Sequence, residues 1–158
     1  MIIQLGRQEL PQAAALIRES FSTVAKEFGL TRQNCPTHTS FMKNAALKKH
    51  FDQGWLMYGL YEERRMVGFV ALHTAEEGLF VLKHLAVLPA YRCRGYGKEL
   101  LDFCKAQAQA LGIWKIVLTV IEEHSKLKRW YLQNGFAHVG TQRFESLPFT
   151  VGYMEWTA

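Results

Sequence analysis

The stretch Leu85–Phe103, LAVLPAYRCRGYGKELLDF, decides how the chain is built. It continues an apolar run, LFVLKHLAVL, that reads as a strand buried on both faces. Pro89 ends the strand, because proline has no N–H to give to a ladder. Beyond it, Leu100, Leu101, Cys104, Ala108 and Leu111 recur every three or four residues, the apolar stripe of a helix, and Gly112 stands where that helix stops. Between strand and helix lies Arg92–Lys98, with two glycines one residue apart among three cations. Glycine lets the backbone turn tightly and come close to a ligand. The helix behind it leaves its first N–H groups unpaired, and its dipole favours negative charge there. Arg92, Arg94 and Lys98 add full charges, and arginine grips phosphate with two parallel hydrogen bonds. Such a turn suits an anion.

Upstream, IIQL opens as a short strand, and Leu10, Ala13, Ala14, Ile17 and Phe21 keep helical spacing, with Pro11 tolerated in the first turn. Gly29, Asn34 and Pro36 mark a loop, and a second helix is predicted over Thr39–His50. WLMYGLYEERRMVGFVALH predicts two strands joined at Glu62–Arg65. Downstream, KIVLTVI is a buried strand, and SKLKRWYLQNG a short helix with Ser125 as N-cap and Gly135 at its end. FAHVGTQRF and FTVGYMEW finish as strands. The order β-α-α-β-β-β-α-β-α-β-β is that of a mixed α/β domain spanning 1–158.

Composition narrows the function. About half of the 158 residues are hydrophobic and 21% are charged, as in a globular protein. No apolar run approaches a membrane span, and the opening MIIQLGRQELPQ has no basic leader before an apolar stretch. Cys35, Cys93 and Cys104 are odd in number and widely spaced, so they read as reduced thiols in a cytoplasmic protein with no metal site. The net charge of +5 is mild, and no basic stripe with interleaved aromatics marks a nucleic-acid binder. Two nucleotide-binding loops are also excluded. A dinucleotide fingerprint needs glycine or alanine where Leu100 stands. A P-loop needs glycine at Arg92 and Ser or Thr at Glu99.

The loop and its surroundings resemble the GNAT superfamily of N-acetyltransferases. The family pattern Gln/Arg-x-x-Gly-x-Gly/Ala is met by Arg92, Gly95 and Gly97, after a strand ending in LAVLP. A second motif, a helical tyrosine shortly before Gly-Phe, is met by Tyr131 in WYLQNGF, about 35 residues on. The resemblance covers nearly the whole chain. It implies a mostly antiparallel sheet of about seven strands, splayed at the cofactor groove and flanked by about four helices. It implies acetyl-CoA as donor, with the loop amides of Arg92, Arg94, Gly95, Tyr96 and Gly97 on the pyrophosphate and Lys98 beside them. Leu85 and Val87 would offer main-chain groups to the pantetheine arm, one of them stabilising the oxyanion.

The implied reaction is direct attack of a small primary amine, or a peptide amine, on the thioester. Tyr131 sits where the family places the acid that protonates the departing thiolate. Seven residues earlier, where relatives often carry asparagine, stands His124, which can still donate to the cofactor. The base is open: Val81 and Lys83 hold the family's positions by strand alternation, and His84, His73, Glu122 and Glu123 are alternatives, as is a water chain. A non-catalytic acyl-CoA sensor on the same fold is the second reading, and a homodimer is an assembly open to it. Ser20–Gly54 carries Lys26, Arg32, Lys43, Lys48 and Lys49 against Glu27 and Asp52. Taken as the acceptor wall, this predicts a compact amine bearing a carboxylate or an apolar group, and not a polycation.

Overall fold

The computed structural model describes residues 1–158. The elements are β1 (Ile2–Gln4), α1 (Leu10–Glu27), α2 (Asn44–Asp52), β2 (Leu56–Glu62), β3 (Arg65–Glu76), β4 (Leu79–Val87), α3 (Tyr96–Ala110), β5 (Lys115–Ile121), α4 (Ser125–Gln133), β6 (Ala137–Arg143) and β7 (Thr150–Thr157). The order is the one expected. The seven strands form one sheet, β1-β2-β3-β4-β5-β7-β6. Only β4 and β5 are parallel, so α3 serves as the crossover that a parallel pair requires. No helix is long and apolar enough to cross a membrane.

Each face of the sheet has its own core. Leu100, Leu101 and Cys104 of α3 and Tyr131 of α4 pack with Leu72, Phe80 and Leu82 on one face. On the other, Leu10, Ala14 and Ile17 of α1 and Leu47 of α2 cover Met57, Phe69 and Ala71. A small third cluster, Ala25, Leu30, Cys35 and Ile121, ties the end of α1 to the end of β5. All three cysteines are free thiols, and only Cys93 is exposed.

Three local readings change. Helix α2 begins at Asn44 and not at Thr39. Thr39–Phe41 is a separate 3₁₀ turn, capped by His38 Nδ1 accepting the Ser40 N–H at 3.2 Å. Extended residues Met42 and Lys43 then break any continuation. The N-cap of α4 is His124 and not Ser125: its side chain accepts from the Leu127 N–H at 3.3 Å.

The third change concerns β4. Its register against β3 passes from Phe69↔Ala86 to Ala71↔Lys83, three steps on β4 for two on β3. The extra residue makes a β-bulge, with His84 at φ 58° in the left-handed region. The bulge reverses the alternation, so Leu82 faces the α3 core while Ala86 faces the α1 core. Strict alternation would have put Leu82, His84 and Ala86 on one face.

Candidate active site

β4 and β5 pair only from Leu79 to Val81 and from Lys115 to Val117. Past these three pairs the strands part, and a groove of about 540 Å³ opens between them. Leu85, Val87, Arg92, Gly95, Tyr96, Gly97, Lys98 and Tyr131 all border it. These residues, singled out in the sequence from one strand, one loop and one helix, thus share a single groove.

The loop end of the groove is built from backbone. Gly95 is the N-cap of α3 at φ 83°, and no side chain caps the helix. The first helical bond there runs from the Glu99 N–H to the Gly95 carbonyl, so the N–H groups of Tyr96, Gly97 and Lys98 donate to nothing in the protein. Gly97 brings this turn against Trp130, whose ring would lie 3.2 Å from any added Cβ. Unpaired amides at a positive helix end fit a pyrophosphate.

The cations behave differently from expectation. The Arg92 guanidinium does not reach for a phosphate. It donates to the Val87 carbonyl (3.2 Å), the Thr23 hydroxyl (3.0 Å) and the Ser20 carbonyl (2.7 Å), lacing the loop to β4 and α1. Burial here pushes its pKa down from the usual arginine value. Arg92→Ala is therefore expected to destabilise the ligand-free protein by roughly 1–2 kcal/mol, read by chemical denaturation. A purely phosphate-binding arginine would leave that stability unchanged. Arg94 does not border the groove. It lies 3.5 Å from Glu62, with its guanidinium over the Tyr91 ring. Lys98 pairs with Asp102 at 2.6 Å. Tyr96 O–H donates to Glu62 at 2.6 Å.

Across the groove, Tyr131 is buried between the Trp130 and Phe136 rings, with centroids at 4.9 and 5.4 Å. Its hydroxyl has no hydrogen-bond partner in the protein, yet the residue borders the groove. Burial, and next the nearby Cys104, push its pKa well above that of an ordinary tyrosine, so the phenol keeps its proton at neutral pH.

Of the candidate bases, only Lys83 and His84 border the groove. Glu122 pairs with Lys128 at 2.8 Å and His138 at 2.7 Å, and the Lys128 bond holds its carboxyl below the usual range. Both Glu123 oxygens accept from the Thr150 N–H. His73 is stacked on Trp55 at 4.2 Å, and His50 covers the other face of that ring at 3.9 Å. This His–Trp–His stack joins α2 to β3, elements that sequence spacing alone does not bring together. His84 lies beside it, 6.3 Å from the Trp55 ring, and burial lowers its pKa to about 3.

A second cavity, of about 370 Å³, adjoins the groove and shares Phe21, Lys83, Thr119 and Val120 with it. His124 borders this cavity and not the groove, its ring tilted against Phe28 at 5.2 Å. The structure thus moves His124 from the expected cofactor side to the neighbouring chamber. Lys26, Arg32, Lys43, Lys48 and Lys49 are all exposed and border neither cavity, so the expected cationic acceptor wall is absent. The one cation in the chamber is Lys83, which lies outside that segment.

Residues 26–157 match the family model described as an acetyltransferase (GNAT) domain. Among solved structures, the ribosomal-protein-S18-alanine N-acetyltransferase from Escherichia coli is similar, with a TM-score of 0.80 at 17% identity, over 99% of this chain and 92% of that one. The PaiA N-acetyltransferase from Thermoplasma acidophilum, in complex with coenzyme A, gives 0.75 at 20% identity, over 100% and 98%. A GNAT family acetyltransferase from Elizabethkingia anophelis with acetyl-CoA bound gives 0.64 at 13% identity, over 72% and 82%.

Proposed function

Because the chain belongs to the GNAT acetyltransferase family, we propose that it moves an acetyl group from acetyl-CoA to a primary amine of a small molecule or peptide, by direct attack, with Tyr131 as general acid. The observation that carries this reading is the parting of β4 and β5 into one groove that reaches both the unpaired α3 amides and Tyr131. The amides of Tyr96, Gly97 and Lys98 hold the pyrophosphate. Exposed pairs such as Arg94–Glu62 and Lys98–Asp102 hold their partners by less than about 1 kcal/mol, so both cations remain free to turn to it. The main chain at Leu85 and Val87, past the last β4–β5 pair, supplies partners for the pantetheine arm.

Acetyl-CoA supplies an activated thioester; the protein's tasks are to orient it, to receive a neutral amine and to protonate the leaving sulfur. No carboxylate borders the groove, and its apolar lining and the Lys83 ammonium both disfavour a second cation. The site thereby lowers the pKa of a bound amine and delivers it deprotonated without a strong base. The buried Tyr131 phenol keeps its proton for the thiolate.

Thiol release from acetyl-CoA with a panel of amines tests the reading. Turnover of at least one amine is expected. Tight acetyl-CoA binding with no thiol release from any acceptor would make the protein a sensor instead.

A further inference from the structure

Lys83 is the chemical anomaly of the chamber. It is half-buried at the bulged part of β4, yet its ammonium makes no hydrogen bond and no ion pair in the protein. Desolvation, unrelieved by any neighbouring anion, lowers its pKa from the ordinary lysine value. A cation partly withdrawn from water without a counter-charge is disfavoured, and an anion brought beside it relieves that cost. Neither the groove nor the adjoining chamber contains an aspartate or glutamate that could serve.

Position adds a second constraint. Lys83 borders both cavities and so stands at their junction; it also lines a third cavity of about 370 Å³, whose carboxylate, Glu155, is paired with Lys115 at 3.3 Å. Beyond it the chamber is lined by Val24, Leu147, Phe149 and Val151, with His38 and His124 among its polar members. Thr39 and Thr119 add hydroxyls at the same junction.

We infer that Lys83 binds the carboxylate of the acceptor, and that the acceptor is an α-amino acid, or a close homologue, with an apolar side chain lodged in the Phe149 chamber. This rests on the acetyl-transfer reading and narrows its substrate. The carboxylate supplies the missing counter-charge. The short link from carboxylate to amine matches one lysine serving both cavities. A polycation would place a second positive charge beside Lys83 with no carboxylate to receive it.

The test compares L-phenylalanine with L-phenylalaninamide, which differ at the carboxylate. In the wild type, kcat/KM for the acid is expected to exceed that for the amide. In Lys83→Met that preference falls by about 30-fold or more, and in Lys83→Arg much of it returns. Because each ratio is taken within one protein, a smaller folded fraction cancels. Equal use of acid and amide by the wild type, or an undiminished preference in Lys83→Met, overturns the inference. Calorimetry of N-acetyl-phenylalanine and its amide in the presence of CoA supplies an arm independent of turnover. Carboxylate-selective binding that depends on Lys83, without thiol release, leaves the anchor standing while the transfer reading fails. Binding of neither ligand and turnover of neither acceptor sinks the anchor as well.

Discussion

Gly97→Glu is expected to give a folded protein whose affinity for acetyl-CoA is lower by about 100-fold or more. Gly97 is the second residue of α3, where the unpaired amides gather. A glutamate there carries its own carboxylate to those amides and to the positive end of the helix. Such a side chain stabilises the helix start, so the fold gains a cap while the site loses its vacancy for phosphate. Bulk acts in the same direction, since the added Cβ meets the Trp130 ring at 3.2 Å. Gly97→Ala separates the two effects: it asks only a small shift of Trp130 and should retain most of the binding. Titration calorimetry measures the affinity, and thermal unfolding confirms that the variant is folded. Wild-type affinity in a folded Gly97→Glu protein would remove the pyrophosphate from this end of the groove.

Tyr131→Phe is expected to lower kcat by roughly 100-fold while leaving acetyl-CoA affinity nearly unchanged. The ring packing against Trp130 and Phe136 survives the substitution. The hydroxyl has no protein partner to orphan, so stability should hold as well. What disappears is one proton, on a phenol that borders the groove and whose pKa burial raises further above neutrality. Steady-state kinetics with the preferred amine reads the loss directly. An unchanged kcat would show that the thiolate departs unassisted or takes its proton elsewhere.

The parts of this site that were legible in the sequence are local. The loop Arg92–Lys98 declares itself through glycine spacing, and its unpaired amides follow from helix geometry alone. Tyr131 is placed by a motif on one short helix. The parts that were not legible depend on what lies across space. The bulge at His84 exists only in relation to the register of β3, and no feature of the β4 sequence announces it. The Arg92 guanidinium looks free in sequence, but the fold brings Ser20 and Thr23 to within 3.0 Å of it. His124 matches a cofactor position by counting residues; in the fold its ring caps its own helix and borders the chamber, a placement that depends on Phe28 and the end of α1. The charge of residues 20–54 misled for a similar reason: a count carries no direction, and those lysines face solvent. In the sequence Lys83 stands only at one of the family's base positions; in the structure it borders a groove and a chamber that hold no aspartate or glutamate.

Three residue pairs tie β4 to β5, against seven between β5 and β7. Side chains add the rest of the link between the block β1–β4 and the block β5–β7–β6: the core beneath α3 and α4, and the small cluster of Ala25, Leu30, Cys35 and Ile121. The backbone link between the two blocks is thus thin, and packing carries most of it. In the proposed pose, acetyl-CoA lies in the cleft and bonds to both blocks, so it acts as a splint. Free donor at 100 times its dissociation constant adds about 2.7 kcal/mol to the folded state. Resistance to heat and to proteases then rises and falls with the supply of donor, and the molecules most readily cleared are those left without it.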